Sequence, residues 1–165
     1  MHTQLIGPAR PRHSVDSPAA LQALVGLPAA VSRPHRIGQS MIGGFADLTD
    51  DRQWIHVDAE RAAREGPSGG TIAHGFLVLS LLTSWHLDCV EYPGAKSLVN
   101  YGFDKLRFTA PVAAGATVSA AFQLQDADMG KPGQARCTWK VEVRTDASDR
   151  PAIVADWVVL VHFDA

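Results

Sequence analysis

The sequence predicts a single α+β domain in which an antiparallel sheet encloses one buried helix. Helical patterns fill the first half of the chain, and from about residue 96 the apolar residues alternate with a period of two. The most apolar helical pattern, at 74–87, is hydrophobic on nearly all sides, which indicates burial. Helices followed by strands favour an α+β architecture, and the later sheet is the one part large enough to cover that helix.

Length and composition limit the possible functions. The chain has 165 residues, of which 46% are hydrophobic and 19% charged, as expected of one globular domain. Its 15 Lys and Arg residues and 17 Asp and Glu residues give a formal net charge of −2. This near balance argues against a nucleic-acid partner and a polybasic membrane tether. A chain of this size also has no second domain to hold a large cofactor.

The N-terminal region and the cysteines indicate a cytoplasmic protein. No basic start with an apolar run marks a signal peptide, and the longest apolar stretch, near 76–82, is too short to span a bilayer. Cys89 and Cys137 form no CxxC pair, so reduced thiols are expected, with one disulfide between them as the alternative. Residues 1–16 lack periodicity and are predicted to be a flexible arm before a domain at 17–165.

Local signals delimit two early helices. The segment 17–26 begins with a serine N-cap and a proline, and a glycine ends it. The segment 40–48 is predicted to be a helix with Met41, Phe45 and Leu48 on one face. Between them, a short extended piece follows a proline.

A third helix is predicted at 58–66. Asp58 is its N-cap, Glu60 and Arg64 stand one turn apart, and Gly66 ends it. A glycine-rich loop then leads to the apolar helix described above.

Four strands are predicted in the second half of the chain. Apolar residues alternate within 99–108, 118–124 and 137–143, whereas 153–163 is apolar on both faces, as a central strand would be. Turn signals rich in Pro, Gly and Asp separate these segments. The pattern therefore predicts successive antiparallel strands.

The residues that suggest chemistry lie between the second helix and the apolar one. Asp51 and His56 are five residues apart, and His74 and Gly75 begin the apolar helix. A carboxylate beside an imidazole can hold a water molecule and share its proton. A glycine at a helix N-terminus offers its N–H to a developing oxyanion, and its missing Cβ lets a carbonyl approach closely. These parts suit the addition of water to an activated double bond.

Each of these residues also has a plain structural interpretation. Asp51 alone is as well explained as the cap of a turn. His56, in an apolar run, is also explained as a structural histidine, and Gly75 as a residue that allows close packing. His56 and Asp58 match part of a metal-binding pattern, but no third ligand follows at a familiar spacing, so no metal site is predicted.

Three motifs together resemble the MaoC-like dehydratases, which include (R)-specific enoyl-CoA hydratases. Residues 51–58 (DRQWIHVD), followed by ERA at 60–62, resemble the hydratase motif, and their residues are similar to those of the branch of nodulation protein N. Residues 69–77 (GGTIAHGFL) match the start of that family's central helix, and 100–112 (NYGFDKLRFTAPV) match the strand that follows. The resemblance covers about residues 39–115.

This resemblance implies a hot-dog fold, a homodimer and a hydro-lyase that adds water reversibly to a trans-2-enoyl thioester, giving a (3R)-3-hydroxyacyl thioester. It implies that Asp51 and His56 act on the water and that the Gly75 N–H holds the thioester oxygen. Coenzyme A or an acyl-carrier pantetheine would arrive as part of the substrate, with no other cofactor. Expected substrate contacts are His74, Thr83, Asn100, Lys105 and Arg107.

Two features depart from the family pattern. Asp50 stands where a glycine commonly precedes the catalytic aspartate, and this second carboxylate is expected to perturb Asp51 or to compete for His56. Gly43 and Gly44 replace a more helix-favouring pair. Both departures are compatible with a specialised enzyme.

Several alternatives accompany this interpretation. Residues 66–70 (GPSGG) fit the G-x-S-x-G pattern of serine hydrolases, with His162 downstream, but that motif requires a preceding strand in a parallel sheet. A hot-dog thioesterase, with a carboxylate-activated water, and a non-catalytic acyl-binding subunit stay open. Lys105 and Arg107, with Lys96, are candidates for phosphate contacts, and ordinary solvated strand charges are the alternative.

Overall fold

The structure, a computed structural model, describes residues 13–66 and 68–164. Its helices lie in the first half of the chain and its long strands in the second, as predicted. The elements in chain order are β1 (His13–Ser14), α1 (Pro18–Ala23), β2 (Ala30–Val31), β3 (His35–Arg36), α2 (Gln39–Thr49), α3 (Trp54–Val57), α4 (Ala59–Glu65), α5 (Gly75–Ser80), α6 (Leu82–Cys89), β4 (Val90–Glu91), β5 (Ala95–Phe108), β6 (Thr117–Lys131), β7 (Gln134–Thr145) and β8 (Ser148–Phe163).

Four long antiparallel strands form the body of a curved sheet. The strand order is β2-β6-β7-β8-β5, and β3 also pairs with β6. The inner face of the sheet packs on α6, where His86 lies edge-on to Phe122, Trp139 and Trp157 at ring-centroid distances of 5.0, 4.4 and 5.4 Å. The predicted α+β fold, with an antiparallel sheet around a helix, is confirmed.

The central helical segment differs from its prediction in two ways. The single helix predicted over 74–87 is two helices, α5 and α6, which meet at Leu81. It is also not buried on all sides, because Phe76 is 67% exposed and Leu87 is 41% exposed. The buried face consists of Leu77, Val78, Leu82 and Trp85. The apolar residues on all sides of this segment therefore form two surfaces. One is buried in the core, and the other is exposed in this chain.

Part of the predicted N-terminal arm belongs to the fold. His13–Ser14 pairs in parallel with β4, and Val15 is completely buried. The Val15 N–H donates to the carbonyl oxygen of Glu91 at 2.8 Å. Residues 1–12 of that arm lie outside the described residues.

The N-cap predictions for α1 and α4 are confirmed, whereas α1 ends at Ala23, before the glycine predicted to end it. The N-cap side chains of both helices accept a hydrogen bond from the backbone N–H three residues later, at 3.2 and 2.9 Å. Within α4, however, the ion pair joins Arg61 to Glu65 at 2.9 Å, in place of the predicted Glu60–Arg64 pair.

The apolar face predicted for α2 is right at its start and wrong at its end. Met41 and Phe45 are partly buried against the core, whereas Leu48 is 83% exposed. A Cβ added at Gly43 or Gly44 would meet nothing within 4 Å, so both glycines border open space. The glycine pair therefore leaves the packing of α2 unaffected.

Cys89 and Cys137 are both buried thiols outside a disulfide, which agrees with the expectation of reduced thiols. Burial raises the pKa of the Cys137 thiol to about 12. Among the described helices, none has the length and apolar content needed to cross a membrane.

Candidate active site

A tight turn at the end of α2 presents Asp51. Asp50 is the C-cap of α2 and has φ 59°, a left-handed conformation in which glycine is preferred and aspartate is tolerated. Arg52 bridges this turn, with ion pairs to Asp50 at 3.2 Å and to Asp47 at 2.8 Å. The Asp50 carboxylate is 91% exposed and bound to Arg52, so the expected competition for His56 does not occur.

The single turn of α3, which the sequence analysis missed, carries His56. Its Nδ1 lies 2.7 Å from the carbonyl oxygen of Ile72. Because a carbonyl only accepts, Nδ1 carries the hydrogen and Nε2 of the neutral ring keeps its lone pair. The Gln39 side chain donates to the His56 carbonyl at 2.8 Å, and the Thr71 hydroxyl donates to Gln39. The sequence analysis assigned no role to Gln39 or Thr71, because their contacts join distant segments.

His74 joins His56 and Asp51 into one cluster. Its ring stacks on that of His56, with centroids 3.7 Å apart and planes at 25°. Its Nε2 lies 2.9 Å from the backbone carbonyl oxygen of Asp51. One side-chain nitrogen or oxygen of each of the three residues lies within 4.8 Å of those of the others. The predicted pair, Asp51 and His56, is therefore close in space, and His74 adds a second imidazole beside it.

The donor atoms of this cluster are of the kind that bind a divalent metal, but their arrangement does not favour one. The two rings are stacked 3.7 Å apart with planes only 25° apart, so their nitrogen lone pairs lie in two separate, nearly parallel planes. A tetrahedral site requires those lone pairs to converge on one ion at roughly 2.0–2.1 Å. The arrangement fits proton transfer with a water molecule better than metal coordination.

The cluster borders an apolar cavity of about 410 Å³. Its lining includes His56, Gly75, Phe76, Val78, Phe108 and Ile153. Gly75 is the first residue of α5, so its N–H has no acceptor within the helix. A Cβ at Gly75 would lie 2.8 Å from the Phe108 ring, so glycine allows the two to pack. The cavity thus combines a hydrocarbon-compatible wall with an imidazole and a backbone N–H.

Known proteins are similar to this chain in sequence and in fold. The family model "MaoC like domain" matches residues 20–147. This chain belongs to the MaoC-like dehydratase family. A nodulation protein N of Rhizobium meliloti (strain 1021) is 38% identical over 145 residues, covering 87% of this chain and 90% of that protein. The 3-hydroxyacyl-thioester dehydratase Z of Mycobacterium tuberculosis (strain ATCC 25618 / H37Rv) is 41% identical over 144 residues, covering 87% and 95%.

A solved structure extends the similarity to the fold. The (R)-hydratase from A. caviae involved in PHA biosynthesis is similar with a TM-score of 0.63 at 25% identity, covering 81% of this chain and 95% of that one. The predicted hot-dog fold and the resemblance to the family and its nodulation protein N branch are confirmed.

In this MaoC-like dehydratase, four predicted substrate contacts lie away from the cavity. Asn100 donates to the Thr83 hydroxyl at 3.4 Å, where β5 faces α6, and neither residue lines the cavity. Lys105 pairs with Asp156 at 3.1 Å and, with Arg107, lines a separate cavity of about 300 Å³. The two cavities share no lining residue. A role for these residues in substrate binding stays a prediction.

The remaining candidates belong to other contacts. His162, considered for a serine hydrolase, lies 3.2 Å from Ser97 and 2.9 Å from Gln134. The segment 66–70 follows a helix, α4, whereas a nucleophile elbow requires a strand there. Lys96 pairs with Asp164 at 3.8 Å at the protein surface.

Proposed function

We propose that Asp51, His56 and Gly75 carry out the reversible addition of water to a trans-2-enoyl thioester, forming a (3R)-3-hydroxyacyl thioester. The enzyme is a hydratase/dehydratase of the lyase class, as its family and its thioester-dehydratase relative support. The similarity to an (R)-hydratase supports the R configuration. The observation that carries the proposal is that His56 and Gly75 line one apolar cavity and that the Asp51 carboxylate lies close to His56.

The first step is the attack of water on C3 of the substrate. The Nδ1–H of His56 is held by Ile72, so the Nε2 lone pair is available to accept a proton. Asp51 and His56 hold the water between them and take its proton as the oxygen bonds to C3. Because His56 lines the cavity, this water lies beside the bound acyl chain.

The second step concerns the charge displaced by that attack. Electrons of the double bond move onto the thioester oxygen, where the Gly75 N–H donates a hydrogen bond. The negative charge then moves back from the thioester oxygen, and C2 takes a proton from the Asp51–His56 pair. Both new bonds form on one face of the former double bond. Dehydration follows the same steps in reverse. Loss of one oxyanion donor costs on the order of 10²–10³ in rate in other enzymes.

The cavity and the chemistry define the substrate class. An apolar wall suits an unsubstituted acyl chain, and coenzyme A or a carrier pantetheine enters as part of the substrate. Addition of water to a polarised double bond leaves the overall oxidation state unchanged, so the proposal includes no redox cofactor. A cytoplasmic location also belongs to the proposal and is consistent with two buried thiols outside a disulfide.

A homodimer is part of the proposal. β5 is 14 residues long and lies at the edge of the sheet, with its outer backbone groups available for pairing. Tyr101 on β5 is 65% exposed, and the cavity residues Phe76 and Phe108 are 67% and 46% exposed. Pairing of β5 with its copy would extend the sheet and place a second chain beside the open cavity wall.

The test is a hydration assay with a series of trans-2-enoyl-CoA and enoyl-carrier substrates. We expect loss of the enoyl absorbance and a 3R product by chiral chromatography. Asp51→Asn and His56→Ala should each lower kcat/KM by about 10²–10⁴, because each removes a proton-transfer group. Asp149→Asn, at an exposed position near the start of β8, is the matched control and should retain activity. An unchanged enoyl absorbance with the wild-type protein would refute the proposal, and release of free thiol would indicate a thioesterase.

A further inference from the structure

We propose that His74 is a positioning residue that holds Asp51, His56 and Gly75 in their relative places without touching the substrate. This inference rests on the proposed function and differs from the substrate contact predicted from the sequence. His74 is only 3% exposed and does not line the cavity, whereas His56 and Gly75 do. Its position is therefore behind the reacting groups.

The first connection runs to the loop that carries Asp51. The Nε2–H of His74 donates to the backbone carbonyl of Asp51 at 2.9 Å. The other side-chain contacts of this turn are ion pairs of Arg52 at the surface, where solvent screens them. The His74 hydrogen bond comes from a buried side chain, and it acts on the backbone of the residue whose carboxylate must meet the water.

The second connection runs to the proton acceptor. His74 stacks on the His56 ring with a centroid distance of 3.7 Å, and Phe45 contacts His74 at 5.0 Å. The hydrogen bond from His56 Nδ1 to Ile72 sets the direction of the His56 ring, and the stack sets its plane. Together they aim the free Nε2 of His56.

The third connection is covalent. His74 is the N-cap of α5, so its carbonyl group belongs to the peptide unit that carries the Gly75 N–H. The preceding residue, Ala73, donates its N–H to the Val112 carbonyl at 2.8 Å. A change in the conformation of His74 would therefore move the oxyanion donor. Reacting groups must be held within about 0.5 Å for full activity, and one side chain here links three of them.

A substitution at His74 can distinguish a positioning role from a role in filling space. Nδ1 is buried and has no hydrogen-bond partner in the described structure. Phenylalanine would fill the same volume, retain stacking on His56 and remove this unpaired atom. A purely structural role therefore predicts that His74→Phe is folded and active, whereas a positioning role predicts a folded protein with impaired chemistry.

The experiment compares His74→Phe with His74→Gln. We expect His74→Phe to keep the thermal unfolding midpoint, to lower kcat by about 10–100-fold and to leave KM nearly unchanged, since small misplacements act on the chemical step. Glutamine can place an amide N–H near the Asp51 carbonyl and should recover part of the lost kcat. Leu21→Ala, in the core at α1, is the control for general destabilisation and should keep kcat at temperatures where it is folded.

Two outcomes would overturn the proposal. A raised KM with unchanged kcat in His74→Phe would assign His74 to substrate binding, and wild-type values of both constants would remove any catalytic contribution. A substrate-free measurement is independent of the proposed function: ¹⁵N NMR of the ring nitrogens should show His74 protonated at Nε2 and His56 at Nδ1. Protonation of His74 at Nδ1 alone would refute the positioning role, whereas correct tautomers without hydratase activity would refute the proposed function.

Discussion

Gly75 and Phe108 occupy adjoining space at the start of α5. A Cβ at residue 75 would lie 2.8 and 2.9 Å from two carbons of the Phe108 ring. Phe108 lines the cavity and packs edge-on against Phe76 at 5.7 Å. With 46% of its surface exposed, the ring can be displaced, and the space beside it is the cavity itself. The glycine therefore matters for the position of Phe108 as well as for its N–H.

Gly75→Ala tests this steric relation. The N–H is retained, but we expect kcat/KM to fall at least about tenfold, because a displaced Phe108 misplaces the acyl chain by a fraction of an ångström or more. Gly75→Ala/Phe108→Ala should recover activity relative to Gly75→Ala, with Phe108→Ala alone as the reference for the cycle. Steady-state kinetics of the wild-type protein and these three variants measure the effects. Additive effects of the two substitutions would contradict a shared space.

The helix α6 carries His86, and the apolar core around this residue disfavours the charged form of its ring. His86 is 1% exposed, and its Nε2 lies 2.8 Å from the Tyr92 hydroxyl. Desolvation among the surrounding aromatic rings lowers the pKa of His86 to about 3, from an ordinary value of 6.5. The same burial raises the pKa of Tyr92. Both side chains are therefore neutral in the folded protein at neutral pH.

Acid should destabilise the fold through His86. The unfolded chain binds a proton below pH 6.5 and the folded chain does not until about pH 3, so the free energy of unfolding falls as the pH drops through this window. The limiting slope is about 1.4 kcal/mol per pH unit, giving a loss of about 2 kcal/mol at pH 5. Urea unfolding at pH 7.5, 6 and 5 measures it. His86→Gln, which does not titrate, should lose correspondingly less between these values, and an identical loss in both proteins would refute the assignment.

At the scale of the whole molecule, the open surface runs from the central helices to β5. Phe76 and Leu87 on the helical segment are exposed, as are Val99 and Tyr101 on the edge strand. An exposed apolar edge strand of this length is normally covered in a stable protein. The proposed dimer covers it and brings a second chain to the cavity wall.

Tyr101→Asp tests the dimer and its link to activity. We expect sedimentation analysis to show a wild-type dimer and a shift of the variant towards monomer, because a charge at the paired edge opposes strand addition. Activity at the same protein concentration should fall with the dimer fraction. Met129→Asp, which places the same charge at a 37% exposed apolar residue on β6, is the control and should remain dimeric. A fully active wild-type monomer would contradict the proposal.

Local patterns in the sequence predicted much of this fold because caps and periodicity depend on neighbouring residues. Serine and aspartate N-caps placed α1 and α4, and the period of two placed the four long strands. The same reasoning missed α3, a single turn that is held by contacts between Ile55 and Ile72 and between Gln39 and His56. It also expected Leu48 inside, because helical periodicity does not show where the covering surface ends.

The motifs around Asp51, His56 and Gly75 were sufficient to place the chain in its family, since residue types and spacing along the chain carry that resemblance, and the roles of the three residues stay a prediction. The sequence could not show that His74 donates to Asp51 and stacks on His56, or that Thr83 and Asn100 pair with each other. Nor could it show that Asp50 binds Arg52 and therefore does not compete with Asp51 for His56. Apart from the contact of Asp50 with Arg52 within one turn, those contacts join segments that meet only after the sheet has closed around the helices. Their geometry depends on packing across the whole domain, which a local pattern does not contain.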